Sequence, residues 1–285
     1  MKKSIGKSIL TYSFAIVAFI FFIFPFLLVL INAAKSSADI VISPIGLPKN
    51  LEQLFINLNN VITNPNFSYY RSFFSSFVIT AVSLSLLVLF SSMAAWVLAR
   101  SKKKWSNVLF MIFVSSMIIP FQVVMLPLLS TFRSIETMFG IKMFSSYFGI
   151  IFAYLGFGGA MSLFILHGFI KGIPYALEEA AAIDGCSPER IFFSIILPLL
   201  RPIHMTVLIL NGIWIWNDFL LPSLLLGLNG SIKTLPLAVT SFVGSYVKQW
   251  DLILTAALLA MIPIIVLFLL AQKQIIKGVV DGAVK

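Results

Sequence analysis

Charged residues are scarce in this chain: Asp, Glu, Lys and Arg make up 11% of its 285 residues, against 60% hydrophobic, and mean hydropathy is +1.04. A soluble domain of this length has no interior large enough for so much apolar surface. Water-soluble classes are therefore excluded, and a bilayer must act as the solvent. Cysteine occurs once, at Cys186, which rules out an intramolecular disulfide and a Cys-rich metal site. Histidine occurs twice, at His167 and His204, and neither has further ligands at metal-site spacing. Both read as interface or packing residues.

In place of charge the chain has six long apolar runs: Ile9–Ile31, Phe73–Leu98, Ser106–Leu129, Tyr147–Ile170, Ile203–Leu225 and Leu252–Ala271. Each can cross about 30 Å of hydrocarbon at about 1.5 Å per helical residue. Backbone groups in lipid need partners within the protein, so these spans must be helical. The expected fold is all-α integral membrane, with six transmembrane helices in a single domain over residues 1–285. The basic start followed by an apolar run has the form of a signal peptide, with Ser36-Ser37-Ala38 as a loose cleavage site. Ile9–Ile31 is longer than a signal h-region, however, and reads as the first membrane helix. Outside the spans, Leu51, Leu54, Phe55 and Leu58 form a helical stripe. Two readings stand: contact with an external protein, or a helix lying in the membrane interface.

Residues 174–202 break the apolar pattern. They hold four of the ten acidic residues, Glu178, Glu179, Asp184 and Glu189. Pro174 suits a helix start, where its missing N–H costs nothing. An alanine-rich helix from Leu177 to Asp184 follows, and Gly185 suits the left-handed position that closes it. Ser187 is an N-cap with Pro188 at the first helical position, and Glu189 sits near that helix's positive end. Pro198 and Pro202 are expected to stop the second helix. Small residues at 180, 181 and 182 leave a flat flank for another protein's surface, whose basic groups Glu178 and Glu179 can pair with. Composition alone favours a solvated connector, whose charges cost nothing to expose.

The spacing of Glu179-Ala180-Ala181 to Gly185, then to Ile195, Leu197 and Pro198, resembles the EAA loop of ABC importer permeases. Over about residues 9–285 the chain most resembles the maltose-type sugar permeases. The stretch Trp-Ile-Trp-Asn-Asp-Phe-Leu-Leu-Pro at 214–222 and the tail Lys277–Lys285 are similar to that group as well. Cys186 departs from the pattern, which usually has a small residue such as alanine there. The resemblance implies a type I ABC importer permease fold with a cytoplasmic coupling helix and both termini inside. It implies that Glu178, Glu179, Ala180, Ala181, Asp184, Gly185, Ile195, Leu197 and Pro198 couple to an ATPase. The implied function is a non-catalytic, multi-pass permease subunit of a bacterial inner membrane importer for a sugar or oligosaccharide. The implied partners are a second, different permease, a homodimeric ATPase that binds ATP and magnesium, an extracytoplasmic sugar-binding protein and membrane lipid. No cofactor is expected in this chain. Gly6-Lys7-Ser8 lacks the first glycine of a P-loop and follows no strand, in keeping with ATP use elsewhere.

A net charge of +10 raises nucleic acid as a partner, but its distribution argues otherwise. With residues 174–202 inside, the cytoplasmic segments carry 13 basic residues: Lys2, Lys3, Lys7, Arg100, Lys102, Lys103, Lys104, Lys171, Arg190, Arg201, Lys273, Lys277 and Lys285. The external segments carry seven: Lys35, Lys49, Arg71, Arg133, Lys142, Lys233 and Lys248. This asymmetry is the positive-inside bias.

Asp218 is the only Asp, Glu, Lys or Arg in the six spans. A membrane-embedded ionisable group is a functional candidate, yet Asp218 lies towards a helix end, where bonding to backbone or water also accounts for it. Trp214 and Trp216 suit stacking on sugar faces and equally suit interfacial anchoring. Pro120, Gln122 and Pro127 mark a kink in the third span, either tolerated by packing or lining a pathway. Pro120, Gln122, Trp214, Trp216, Asn217 and Asp218 are the candidate pathway residues. An ion-coupled secondary transporter would need more ionisable groups at mid-membrane, and a membrane enzyme would need convergent catalytic groups. Another cargo such as glycerol phosphate would need cations within the spans, and the sequence places none there.

Overall fold

The structure, a computed structural model, describes residues 5–243 and 248–283. Among these the regular elements are helical apart from one isolated antiparallel bridge between Val243 and Lys248. In chain order the α-helices are α1 (Ile5–Ala33), α2 (Ser37–Ile42), α3 (Glu52–Thr63), α4 (Tyr69–Arg100), α5 (Lys104–Ser116), α6 (Phe121–Phe139) and α7 (Tyr147–Ile170). Then come α8 (Ala176–Ile183), α9 (Pro188–Ile191), a π-helical turn (Phe192–Ile196), α10 (Leu197–Leu199), α11 (Arg201–Asn217), α12 (Leu220–Leu225), α13 (Leu235–Val239) and α14 (Trp250–Ala283). Of the basic residues used for topology, Lys2, Lys3 and Lys285 lie outside the described residues.

Among the described residues, three helical stretches are long and apolar enough to cross a membrane: 10–33, 69–100 and 147–170. Two bent pairs, α5 with α6 and Pro188–Leu199 with α11, raise the number to five if each is one span. The apolar part of α14, Trp250–Val266, is shorter. The third expected span is not one kinked helix. It is broken between α5 and α6, whose axes differ by 106°. The cause is Pro120, which lacks an N–H and pushes the residue before it out of the helical region. Helix α5 ends in tight turns, with Met117, Ile118 and Ile119 N–H each bonding three residues back, and Pro120 has extended backbone ahead of α6. The fifth expected span is also divided, at Asp218, between α11 and α12.

The chain forms two compact units. One comprises residues 1–70 and 238–263, the other residues 71–237 and 264–285. In the first, α1 is apolar on nearly every side and exposed along most of its length, as suits a helix facing hydrocarbon. Its C-terminal end is fixed by a buried polar knot. Asn32 Nδ2 donates to the Leu28 and Pro44 carbonyls, and Lys35 Nζ donates to Asn32 Oδ1 and the Ser43 carbonyl. Asn57 of α3 donates to the carbonyls of Ala33 and Lys35. Helix α3 therefore buries Asn57 and Val61, with Leu54 and Leu58 half-buried beside them, while Leu51 and Phe55 of the expected stripe point outward.

In the second unit α7 packs against α5, α11 and α12. Two apolar clusters result. One centres on Ile79, Leu87, Ile150, Tyr154, Ile215 and Leu221, the other on Ala95, Leu163, Leu166, Ile191, Phe192 and Ile196. Close approach is possible at Gly158, where a Cβ would lie 2.8 Å from Asn211 Oδ1 and 2.9 Å from Leu87 Cδ1. Asn211 Nδ2 donates to Ser162 Oγ, and Ser162 Oγ donates to the Gly158 carbonyl, so the polar groups at this crossing satisfy one another. The histidines take packing roles: His167 stacks on Phe110, and His204 Nε2 lies 2.8 Å from Ser92 Oγ.

Candidate functional site: the α8 loop and the cavity beside Asp218

The local signals around α8 act as the sequence suggests. Gly185 has φ +79°, which a residue with a Cβ adopts only under strain. Its N–H bonds the Ala182 carbonyl while the Cys186 N–H bonds the Ala181 carbonyl, the paired closure of a Schellman motif. The next helix starts on Ser187, whose Oγ accepts from the Arg190 N–H, with Pro188 in the first turn. Backbone N–H and the Ser187 hydroxyl hold the exposed Glu189 carboxyl below its ordinary pKa. These bonds fix the turn between α8 and α9.

Pro198 does not stop the second helix. The run from Pro188 to Leu199 continues through the π turn at Phe192–Ile196, in which the Leu197 N–H bonds the Phe192 carbonyl. The bend of 73° follows it, at Leu200, and Pro202 lies in the first turn of α11 rather than ending a helix. A π turn inserts one extra residue, and such insertions are a known source of helix irregularity. Ile195 and Leu197 are half-buried against the second apolar cluster, and Pro198 is exposed.

Helix α8 has two unlike faces. Glu179, Ala180 and Ile183 are exposed, as are Asp184 and Gly185 beyond them. Ala181 is buried in the second cluster, and Glu178 is buried as well. Glu178 thus does not face outward as expected. Its Oε1 accepts from Arg100 Nε at 2.7 Å and its Oε2 from Trp96 Nε1 at 3.0 Å. Arg100 Nη2 also donates to the Ile173 carbonyl, and its guanidinium lies over the Tyr175 ring. A buried carboxylate needs such partners. Neither Arg100 nor Trp96 is marked by the sequence pattern: they stand about 80 positions upstream, and only their place at the basic end of a span hints at a role.

A second feature is a cavity of about 210 Å³ lined by Phe121, Gln122, Trp214, Asp218, Leu220 and Leu221. It brings together three of the six candidate pathway residues. Asp218 ends α11 and bridges to α12, its Oδ1 accepting from the N–H groups of Leu220 and Leu221. Its Oδ2 accepts from the Tyr154 hydroxyl at 3.1 Å. Trp214 meets the Tyr154 ring edge-on. Asp218 therefore holds a helix end and lines the cavity at once. The other three candidates do not reach it: Trp216 is buried against Phe73, Asn217 Nδ2 donates to the Ile213 carbonyl, and Pro120 precedes α6. Tyr154 is a site residue that the sequence reading does not mark, since a tyrosine in an apolar run reads as core.

Residues 277–283 of the tail continue α14 as helix.

Comparison with known proteins sets these features in a family. Residues 87–281 match the family model described as binding-protein-dependent transport system inner membrane component. The probable starch degradation products transport system permease protein of Thermoanaerobacterium thermosulfurigenes is 39% identical over 284 residues, covering 100% of this chain and 99% of the relative. The multiple sugar-binding transport system permease protein of Streptococcus mutans is 34% identical over 246 residues, covering 83% and 86%. The arabinooligosaccharides transport system permease protein of Bacillus subtilis is 28% identical over 284 residues, covering 99% and 97%. Among solved structures, a bacterial ABC transporter involved in the import of the acidic polysaccharide alginate matches with a TM-score of 0.76 at 18% identity, over 96% of this chain and 99% of that one. That likeness establishes the fold. The chain belongs to the family of binding-protein-dependent transport system inner membrane components, the non-catalytic permease subunits of ABC importers that work with an ATPase and a substrate-binding protein.

Proposed function

We propose that this chain forms half of the translocation pathway of an importer for a neutral sugar or oligosaccharide, and that α8 is its coupling helix to the ATPase. The observation that carries this reading is the two-faced character of α8. One flank, with Glu178 and Ala181, is fixed inside the chain, and the other, with Glu179, Ala180 and Ile183, is exposed at a turn fixed by Gly185. A helix held so firmly and left half bare is suited to receive another protein's surface. A second, different permease completes the pathway, and the ATPase homodimer binds ATP and magnesium. The chain crosses a bacterial inner membrane six times as one permease domain, with both termini inside, each broken span counting once and α14 supplying the last.

The cavity beside Asp218 supports the cargo assignment. It combines an indole, an amide and a carboxylate with apolar walls, the chemistry that sugar hydroxyls and C–H faces require, and no Lys or Arg lines it. At about 210 Å³ it is smaller than the roughly 300–1,000 Å³ of usual small-molecule sites, as befits one side of a pathway shared by two subunits. Three relatives are named for starch products, multiple sugars and arabinooligosaccharides. The test is reconstitution of both permeases with the ATPase and binding protein in vesicles. Labelled neutral oligosaccharides are expected to enter with ATP and to compete with one another. Uptake of glycerol phosphate without uptake of any neutral sugar would overturn the cargo assignment.

A further inference from the structure

Among the described residues of the second unit, one ion pair is largely buried, Arg100 with Glu178, whose side chains are 17% and 7% exposed. Its position is informative. Arg100 is the last residue of α4, where a cation suits the helix's negative end, and Glu178 lies in the first turn of α8, where an anion suits the positive end. Two helix termini are thus tied by charge that their dipoles already favour. The tie has more than one bond. Trp96, one turn earlier on α4, donates to the second oxygen of Glu178, and Arg100 donates to the Ile173 carbonyl in the link between α7 and α8. The Trp96 ring packs on Phe192 at 5.5 Å, carrying the contact on to the π turn.

We infer that Trp96, Arg100 and Glu178 form a rigid brace that makes α8 and the cytoplasmic end of α4 move as one body, so that motion imposed on α8 is delivered to a membrane-crossing helix distant in sequence. This inference rests on α8 being the coupling helix. The covalent route from α8 leads only to its chain neighbours, the 171–175 link and α9. Helix α4 is reached only across space. The three side chains are positioning residues and touch neither nucleotide nor cargo. A planar guanidinium in a nearly dry site holds direction better than apolar contact does, because its donors are fixed in one plane. Replacing the pair with apolar groups of similar size should keep the fold, since the desolvation cost of both charges disappears with their attraction.

The test uses the full transporter with its ATPase and binding protein, reconstituted in vesicles, and reads uptake per ATP hydrolysed at equal amounts of assembled complex. In the double variant Arg100→Met/Glu178→Leu the ATPase is expected to copurify as in the wild type while uptake per ATP falls at least fivefold. An unchanged ratio would show that the ion pair only packs the loop, and would overturn the brace. If the double variant does not assemble, Trp96→Phe decides, because it removes one hydrogen bond and keeps an aromatic ring. A lowered ratio then supports the brace, and a wild-type ratio refutes it. Failure of the coupling reading itself looks different: Glu179→Lys on the exposed flank would leave both copurification and uptake unaffected.

Discussion

The Tyr154 hydroxyl donates to Asp218 Oδ2 at 3.1 Å, which joins the N-terminal half of α7 to the point where α11 gives way to α12. The other oxygen of the same carboxylate accepts from backbone N–H groups of α12. Asp218→Ala should therefore lower both the amount of assembled transporter and the uptake per assembled complex. A buried donor left without a partner costs about 1–3 kcal/mol, enough to reduce assembly several-fold. Tyr154→Phe removes a single bond and should leave assembly near the wild-type level. Normal uptake per complex in Asp218→Ala would remove Asp218 from the pathway.

Gly185 should tolerate asparagine and reject valine. The left-handed backbone there, φ +79°, strains Asn least among residues with a Cβ and a β-branched residue most. Uptake by Gly185→Asn is expected to stay within about twofold of wild type, and Gly185→Val should lose most of it, the strain being about 1–2 kcal/mol. Space is not the issue, since a Cβ at Gly185 meets nothing within 4 Å. Equal uptake by the two variants would show that the turn geometry is immaterial to coupling.

Gly158→Val should lower the thermal unfolding midpoint of the purified complex, because the added Cβ lands on Asn211 and Leu87. Overpacking of this kind costs about 1–3 kcal/mol. A midpoint equal to the wild type would mean that the helices separate there without cost.

The turn at Gly185 was legible in the sequence because every group in it lies within a few residues, so cap chemistry alone dictates it. The break at Pro120 was half legible: proline signals a disruption, but the 106° bend depends on how α6 packs through Phe132 and its neighbours. The inward turn of Glu178 was not legible, since the sequence offers two adjacent glutamates and only the distant Arg100 selects between them. Trp214 and Trp216 show the same limit. They differ by two residues on a helix and so point to different sides, one into the cavity and one against Phe73.

Orientation in the membrane can be read from Cys186, the only cysteine in the chain and half-buried beside α8. A membrane-impermeant thiol reagent should leave it unlabelled in sealed cells. Labelling is expected once membranes are opened and the ATPase is stripped away. Rapid labelling of sealed cells would reverse the proposed topology.

The most direct test of the account is Glu179→Lys, since Glu179 is exposed on the free flank of α8 while Glu178 beside it is committed to Arg100. The measurement is copurification of the ATPase with the tagged permease, combined with sugar uptake in the same cells. The account predicts that the permease still inserts at normal levels, because α8 lies outside the spans, and that the ATPase is released or its hydrolysis no longer drives uptake. Unchanged ATPase stoichiometry together with full uptake would contradict it.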